Sequence, residues 1–242
     1  MARIVLAESA TGSEVQKRAA AVRAAEFVES GMRLGLGTGS TARHFLDVLA
    51  DRLLAGAITD IVGVATSTAT AVHARQVGVP LLTLDELPHL DLTIDGADEI
   101  DPALNLIKGH GGALLWEKMV ACASDRLIII ADDSKLVDRL GSRMALPVEV
   151  IPFGWSTHLP FFRELGARAD LRFRQGAPFM TDGGHYIVDC TFEGGIIDPA
   201  SVEQRLKART GIVETGLFVN RASAVVVAGK AGVRLIEPAG SR

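Results

Sequence analysis

Apolar and polar positions change their period several times along the chain, and each change marks an element. Ser13-x-x-Gln16 has the form of a capping box. The Ala-rich stretch after it, to about residue 30, places Val15, Ala19 and Val22 on one helical face. Gly31 ends that stretch. A short strand is predicted at 32–35, then a glycine turn, then a second helix to about residue 54 carrying Ala42, Phe45, Leu49 and Leu53. A strand at 61–65, a helix to about residue 76 and a strand at 79–82 follow. Leu90, Leu92 and Ile94 alternate with Asp91 and Thr93, which predicts a strand at 90–95. A helix at 113–123 and an apolar strand at 126–131 complete this half. Strands alternating with helices imply an α/β fold with a doubly wound, largely parallel sheet.

The rhythm then changes. Strand 148–151, helix 155–165, strands 169–173 and 185–189, helix 201–208 and strand 212–215 give the order β-α-β-β-α-β, the ferredoxin-like split unit. A last strand at 224–228 is expected to rejoin the first sheet, leaving 237–242 as a loose tail. The expected organisation is a Rossmann-like catalytic domain of residues 1–140 plus 216–242. An inserted smaller ferredoxin-like α+β domain would occupy 141–215.

Composition excludes several classes of function. The 242 residues are 48% hydrophobic, enough for a full core. A net charge of −4 with no long basic run argues against a nucleic-acid partner. Cys122 and Cys190 imply no disulfide framework and fit a reducing cytoplasm. The apolar run at 4–7 is too short for a signal peptide, and no run approaches the ~20 residues of a membrane span. The six histidines are scattered without ligand spacing, so no zinc site is expected. Mg²⁺ at Asp95, Asp98 and Asp101 is compatible with the residues but not required by them.

Two stretches carry chemistry. Gly37-Thr38-Gly39-Ser40-Thr41-Ala42 joins a strand to a helix, where glycines allow a tight turn and free N–H groups bind anions. Its G-x-G-x-x-A form matches the dinucleotide fingerprint. Strand 61–65, however, ends in Thr66-Ser67-Thr68, with no acid for a ribose hydroxyl, so a phosphate site is the better reading. Thr66, Ser67, Thr68 and Thr70 read as caps for the following helix. The second stretch, 95–117, holds Asp95, Asp98, Glu99 and Asp101, then Lys108 in a turn with Gly109, Gly111 and Gly112, then Glu117. It lies at a strand end, where open α/β sheets bind ligands. Carboxylates with a lysine and glycine amides suit proton transfer on a small phosphorylated molecule, a carboxylate moving the proton and the donors holding an oxyanion.

These residues resemble the type A ribose-5-phosphate isomerases. The likeness rests on five blocks in order: 37–41 (GTGST), 95–101 (DGADEID), Lys108-Gly109-x-Gly111 with Glu117-Lys118, Asp132-Asp133-Ser134-Lys135, and 213–218 (VETGLF). The resemblance implies interconversion of D-ribose 5-phosphate and D-ribulose 5-phosphate through an enediolate, with no cofactor and no metal. It implies Glu117 as the base and Asp95 and Asp98 as holders of the sugar hydroxyls, with Gly96 and Ala97 beside them. Lys108 with the amides of Gly109, His110 and Gly111 would stabilise the oxyanion. Thr38, Gly39, Ser40 and Thr41 would bind substrate, Ser40 and Thr41 holding the phosphate with Lys17 and Lys135. A homodimer or homotetramer in the cytoplasm would follow. Two residues depart from the family pattern: His110 replaces a glycine of the turn, and Trp116 stands where a polar residue is common. A non-catalytic sugar-phosphate sensor would lack the base. A nicotinamide-dependent dehydrogenase would need the acid missing after the second strand.

Overall fold

A computed structural model describes residues 12–238; the apolar run at 4–7 and residues 239–242 of the expected tail lie outside the described residues. The first half of the chain runs α1 (Gly12–Ala25), β1 (Arg33–Leu36), α2 (Ser40–Leu54), β2 (Val62–Ala65), α3 (Thr68–Gln76) and β3 (Leu92–Asp95). It continues through β4 (Glu99–Ile100), β5 (Leu106–Ile107), α4 (Leu114–Cys122) and β6 (Leu127–Asp132). The second half runs β7 (Leu146–Val150), α5 (Leu159–Glu164), β8 (Ala167–Leu171), β9 (Phe173–Arg174), β10 (Ala177–Pro178) and β11 (Tyr186–Phe192). It ends with α6 (Pro199–Lys207), β12 (Ile212–Thr215), β13 (Leu217–Phe218), β14 (Ala224–Gly229) and β15 (Gly232–Ile236).

The main sheet has the order β15-β14-β6-β3-β1-β2. All its pairings are parallel except that of the edge strand β15. Strand β6 shows why it is doubly wound. Ile128 and Ile130 pack in a core with α1 and α2, while Ile129 and Ala131 face a second core containing Leu106 and Phe218. Both faces are covered, so the strand is apolar throughout rather than alternating. The smaller sheet, β12-β7-β11-β8, is wholly antiparallel, and β7-α5-β8-β11-α6-β12 is the split unit expected from sequence. A third small sheet, β13-β5-β4, lies between; its strands are only two residues each, too short for the sequence pattern to mark.

Four local expectations change. Ser13 lies inside α1 and so is not its cap. The buried face of α1 is Ala20, Ala21, Ala24 and Ala25, whereas Val15 and Val22 are exposed. Small alanines let this helix lie close to α2 and the sheet, and close packing outranks the larger side chains. The strand expected at 79–82 is a single bridge between Leu81 and Gly63, because Pro80 has no N–H for a ladder. The helix expected at 155–165 begins as a 3₁₀ turn, with α5 starting just before Pro160. Strand β15 is an edge strand that the sequence reading does not include, and its Val233 and Leu235 are exposed.

Candidate active site

At the carboxyl ends of β1 and β3 the two chemical stretches meet. The turn after β1 approaches Asp95 so closely that a Cβ on Gly37 would stand 2.3 Å from Asp95 Oδ1. Thr38 N–H donates to Asp95 Oδ1 at 3.0 Å, and Gly96 N–H donates to the same oxygen at 2.7 Å. The Thr38 hydroxyl turns away into a cluster with Thr66, Ser67 and Thr70 at 2.7–2.9 Å. Ser67 also accepts from Thr70 N–H and so caps α3, as expected. Helix α2 has Gly39 at its N-cap with φ of 108° and no side-chain cap. Its first amides are therefore open to an anion.

Lys108 arrives on the third sheet. Its N–H is held by Gly216 O at 2.9 Å, and β4–β5 pairing brings Asp98 alongside it. The Lys108 ammonium is 2.9 Å from Asp95 Oδ2 and 3.1 Å from Glu117 Oε1, and it also donates to Gly96 O. All three of its hydrogens are thus engaged. Glu117 projects from the first turn of α4, and its other oxygen, Oε2, is buried with no hydrogen-bond partner among the described residues. The next residue, Lys118, anchors α4 through Glu203 at 3.0 Å, Glu214 at 2.8 Å and Thr215 O at 2.8 Å.

These groups border a cavity of about 100 Å³ lined by Thr38, Gly39, Ser40, Thr41, Gly96, Ala97, Asp98, Lys108, Gly109, Gly111, Glu117 and Lys135. Three residues named from sequence are placed elsewhere. Lys17 is not among the lining residues; its ammonium pairs with Glu14 at 2.7 Å on α1. Asp95 stands just behind the cavity wall, fully buried against Lys108. His110 contributes its N–H to Asp98 Oδ2 at 3.0 Å, while its side chain is not in the lining. Positive φ falls on Gly109 and Gly112, not on His110, so the histidine is accommodated without backbone strain. Trp116 lines a separate, larger and mainly apolar groove of about 710 Å³ with Leu82, Leu84 and Met119.

The four acids divide by role. Glu99 accepts N–H bonds from Gly141, Arg143 and Met144, and Asp101 from Ala103 and Asn105, so both hold loops. Asp101 also accepts from Asn105 Nδ2 at 3.0 Å and is not among the residues lining the cavity. Among the described residues no group of three or more His, Cys, Asp or Glu is arranged to hold a metal.

Electrostatics single out Glu117. Burial pushes its carboxyl up, Lys108 pulls it back and Asp95 pushes it up again, leaving it at about 8. Burial likewise raises Asp95, against Lys108 and two backbone donors. Burial alone would lower Lys108, but Asp95 and then Glu117 hold it above its usual range. One ammonium thus serves two carboxylates. Asp95 and Glu117 therefore titrate as a coupled pair around one cation, both pushed up by burial.

Fold and site together place the chain in the class of α/β proton-transfer enzymes acting on small anionic molecules. A family model described as ribose 5-phosphate isomerase A (phosphoriboisomerase A) matches residues 62–232. A ribose-5-phosphate isomerase A of Bradyrhizobium diazoefficiens is 53% identical over 232 residues, 91% of this chain and 95% of its own. One from Gloeobacter violaceus is 52% identical over 226 residues, 93% of this chain and 97% of its own. The solved ribose 5-phosphate isomerase of Plasmodium falciparum is similar with a TM-score of 0.90 and 40% identity, covering 93% of this chain and 98% of that one. A D-ribose-5-phosphate isomerase solved in complex with phospho-erythronic acid gives 0.91 and 39%, covering 94% and 100%. The chain belongs to the ribose 5-phosphate isomerase A family and is an aldose–ketose isomerase of the pentose phosphate pathway.

Proposed function

We propose that Glu117 carries the proton between C2 and C1 as D-ribose 5-phosphate and D-ribulose 5-phosphate interconvert. The observation that supports this most is the orphan Glu117 Oε2. A buried acceptor without a partner costs ~1–3 kcal/mol, and a substrate C–H or O–H is what such an atom can receive. Asp98, with Asp95 behind it, holds the sugar hydroxyls and assists ring opening. The uncapped end of α2 at Gly39, Ser40 and Thr41 takes the phosphate, with Lys135, which lines the same cavity. The Lys108 ammonium and the amides of the glycine turn take the enediolate oxygen. Lys108 has no spare hydrogen at rest, so protonation of Glu117 has a second effect. It weakens the longest of the Lys108 contacts, 3.1 Å, and frees a donor as negative charge develops on the substrate.

Ribulose 5-phosphate formation from ribose 5-phosphate in EDTA, with nothing else added, tests the assignment. Conversion to an equilibrium mixture is expected. A melting shift with ribose 5-phosphate but no conversion would instead indicate a sensor. The base must be ionised to act, and its carboxyl is pushed up to about 8. kcat/KM is therefore expected to fall about tenfold per pH unit on the acid side of that value and to level off above it. A profile flat from pH 6 to 9 would remove Glu117 from the role.

The phospho-erythronic acid complex of the related isomerase supports the same chemistry, since a carboxylate spreads charge over two oxygens as an enediolate does. We assign the catalytic domain to 1–140 plus 216–242 and the inserted domain to 141–215; the separation of the six-stranded main sheet from the four-stranded antiparallel sheet supports this. Among the described residues no helix is long and apolar enough to cross a membrane, and a cytoplasmic location is our reading. A homodimer or homotetramer is expected by light scattering. The open groove at Leu82, Trp116 and Met119 supports association, and a monomeric mass would contradict it.

A further inference from the structure

We propose that Arg172, which stands outside the cavity between β8 and β9, is a positioning residue for the glycine turn that receives the oxyanion. The inference rests on the assignment of that turn to the enediolate oxygen. Arg172 Nη1 donates to Gly109 O at 2.9 Å and to His110 O at 3.0 Å. The guanidinium is itself oriented by Asp189 on β11, through Nε at 2.8 Å to Oδ2 and Nη2 to Oδ1. The Phe179 ring lies 5.8 Å from the guanidinium and fills the space a Cβ at Gly112 would need, 2.4 Å away. Arg172 therefore grips two successive carbonyls from the side of the inserted sheet.

Trans peptide units point their C=O and N–H in opposite directions. The unit joining Gly109 to His110 is held at both ends, its carbonyl by Arg172 and its N–H by Asp98 at 3.0 Å. The unit joining His110 to Gly111 is held at one end only. Its carbonyl meets Arg172, and among the described residues its N–H, that of Gly111, has no hydrogen-bond partner. Gly111 lines the cavity. Fixing the carbonyl on one side thus aims a free donor at the other. A cation on the carbonyl also draws electrons along the peptide and makes that N–H a stronger donor. The gain grows with charge on the substrate oxygen, so it acts on the transition state more than on the bound sugar.

The test compares wild type, Arg172→Met and Arg172→Lys for ribose 5-phosphate turnover, KM and melting temperature, with Glu117→Gln as control. Arg172→Met is expected to lower kcat roughly 10- to 100-fold, with KM changed by less than about threefold. Arg172→Lys is expected to recover part of the loss, since an ammonium lacks the planar fork that reaches both carbonyls and Asp189 together. If the methionine variant does not fold, the lysine variant decides: a several-fold lower kcat at unchanged melting temperature supports the proposal. A kcat within about twofold of wild type in the folded variants overturns it, as does a loss expressed in KM alone. Should Glu117→Gln retain turnover, the base assignment falls instead. Should that control fail while Arg172→Met turns over normally, only the role of Arg172 falls.

Discussion

Glu117→Gln is expected to lower kcat by roughly 10³–10⁴ while KM for ribose 5-phosphate changes by no more than a few-fold. The amide keeps the volume of the side chain and can still accept from Lys108, so the cavity stays intact and only the proton carrier is lost. The same substitution is expected to stabilise the fold at alkaline pH. The Glu117 carboxyl is pushed up from 4.5 to about 8, so between those values the folded chain holds a proton that the unfolded chain has released. That contribution to stability is complete below about 4.5 and is lost as pH rises through about 8. Glutamine removes the slope, and the variant is expected to exceed wild type by ~1–3 kcal/mol at pH 8.5 but not at pH 4.5. Steady-state kinetics with urea unfolding at both pH values measure the two effects. Near-normal turnover would refute the base, and a stability difference independent of pH would refute its burial as a charge.

Lys108→Met is expected to be the most damaging change for stability. It leaves Asp95 and Glu117 buried without their shared cation, and breaking a buried pair of this kind costs ~3–5 kcal/mol. Both carboxyls would be pushed further up, so the folded variant would retain protons that the unfolded chain gives away. Its deficit is therefore expected to be small at pH 5 and to grow toward pH 8.5, the same sign as for Glu117 in wild type but steeper. Turnover is expected to fall by roughly 10²–10³ as well, through loss of an oxyanion donor. Chemical denaturation across that pH range decides; a deficit equal at both ends would mean that Lys108 acts by packing and not by charge.

The parallel sheet was legible because β6 and β14 are buried on both faces and read as apolar runs, while glycines and capping residues mark the connections. The split unit was legible from element order. Short pieces were not: β4, β5 and β13 are two residues long, too brief for any period, yet they carry Lys108 to Asp98 and Asp95. The acidic cluster was visible as a cluster, but its division was not. Nothing local tells Asp98, at the cavity, from Glu99, whose oxygens hold the amides of Gly141, Arg143 and Met144.

By itself, the sequence determined the longer helices and the apolar strands, the strand–turn–helix with an uncapped helix end, and the residue types that suit proton transfer. Those follow from periodicity and from backbone and side-chain chemistry, which are local. Tertiary structure alone decided that one lysine sits between two acids, that burial pushes the Glu117 carboxyl up to about 8, and that Arg172, 62 residues beyond His110, grips its carbonyl. Burial, charge coupling and hydrogen-bond geometry depend on which distant segments share a volume, and sequence spacing does not encode that distance.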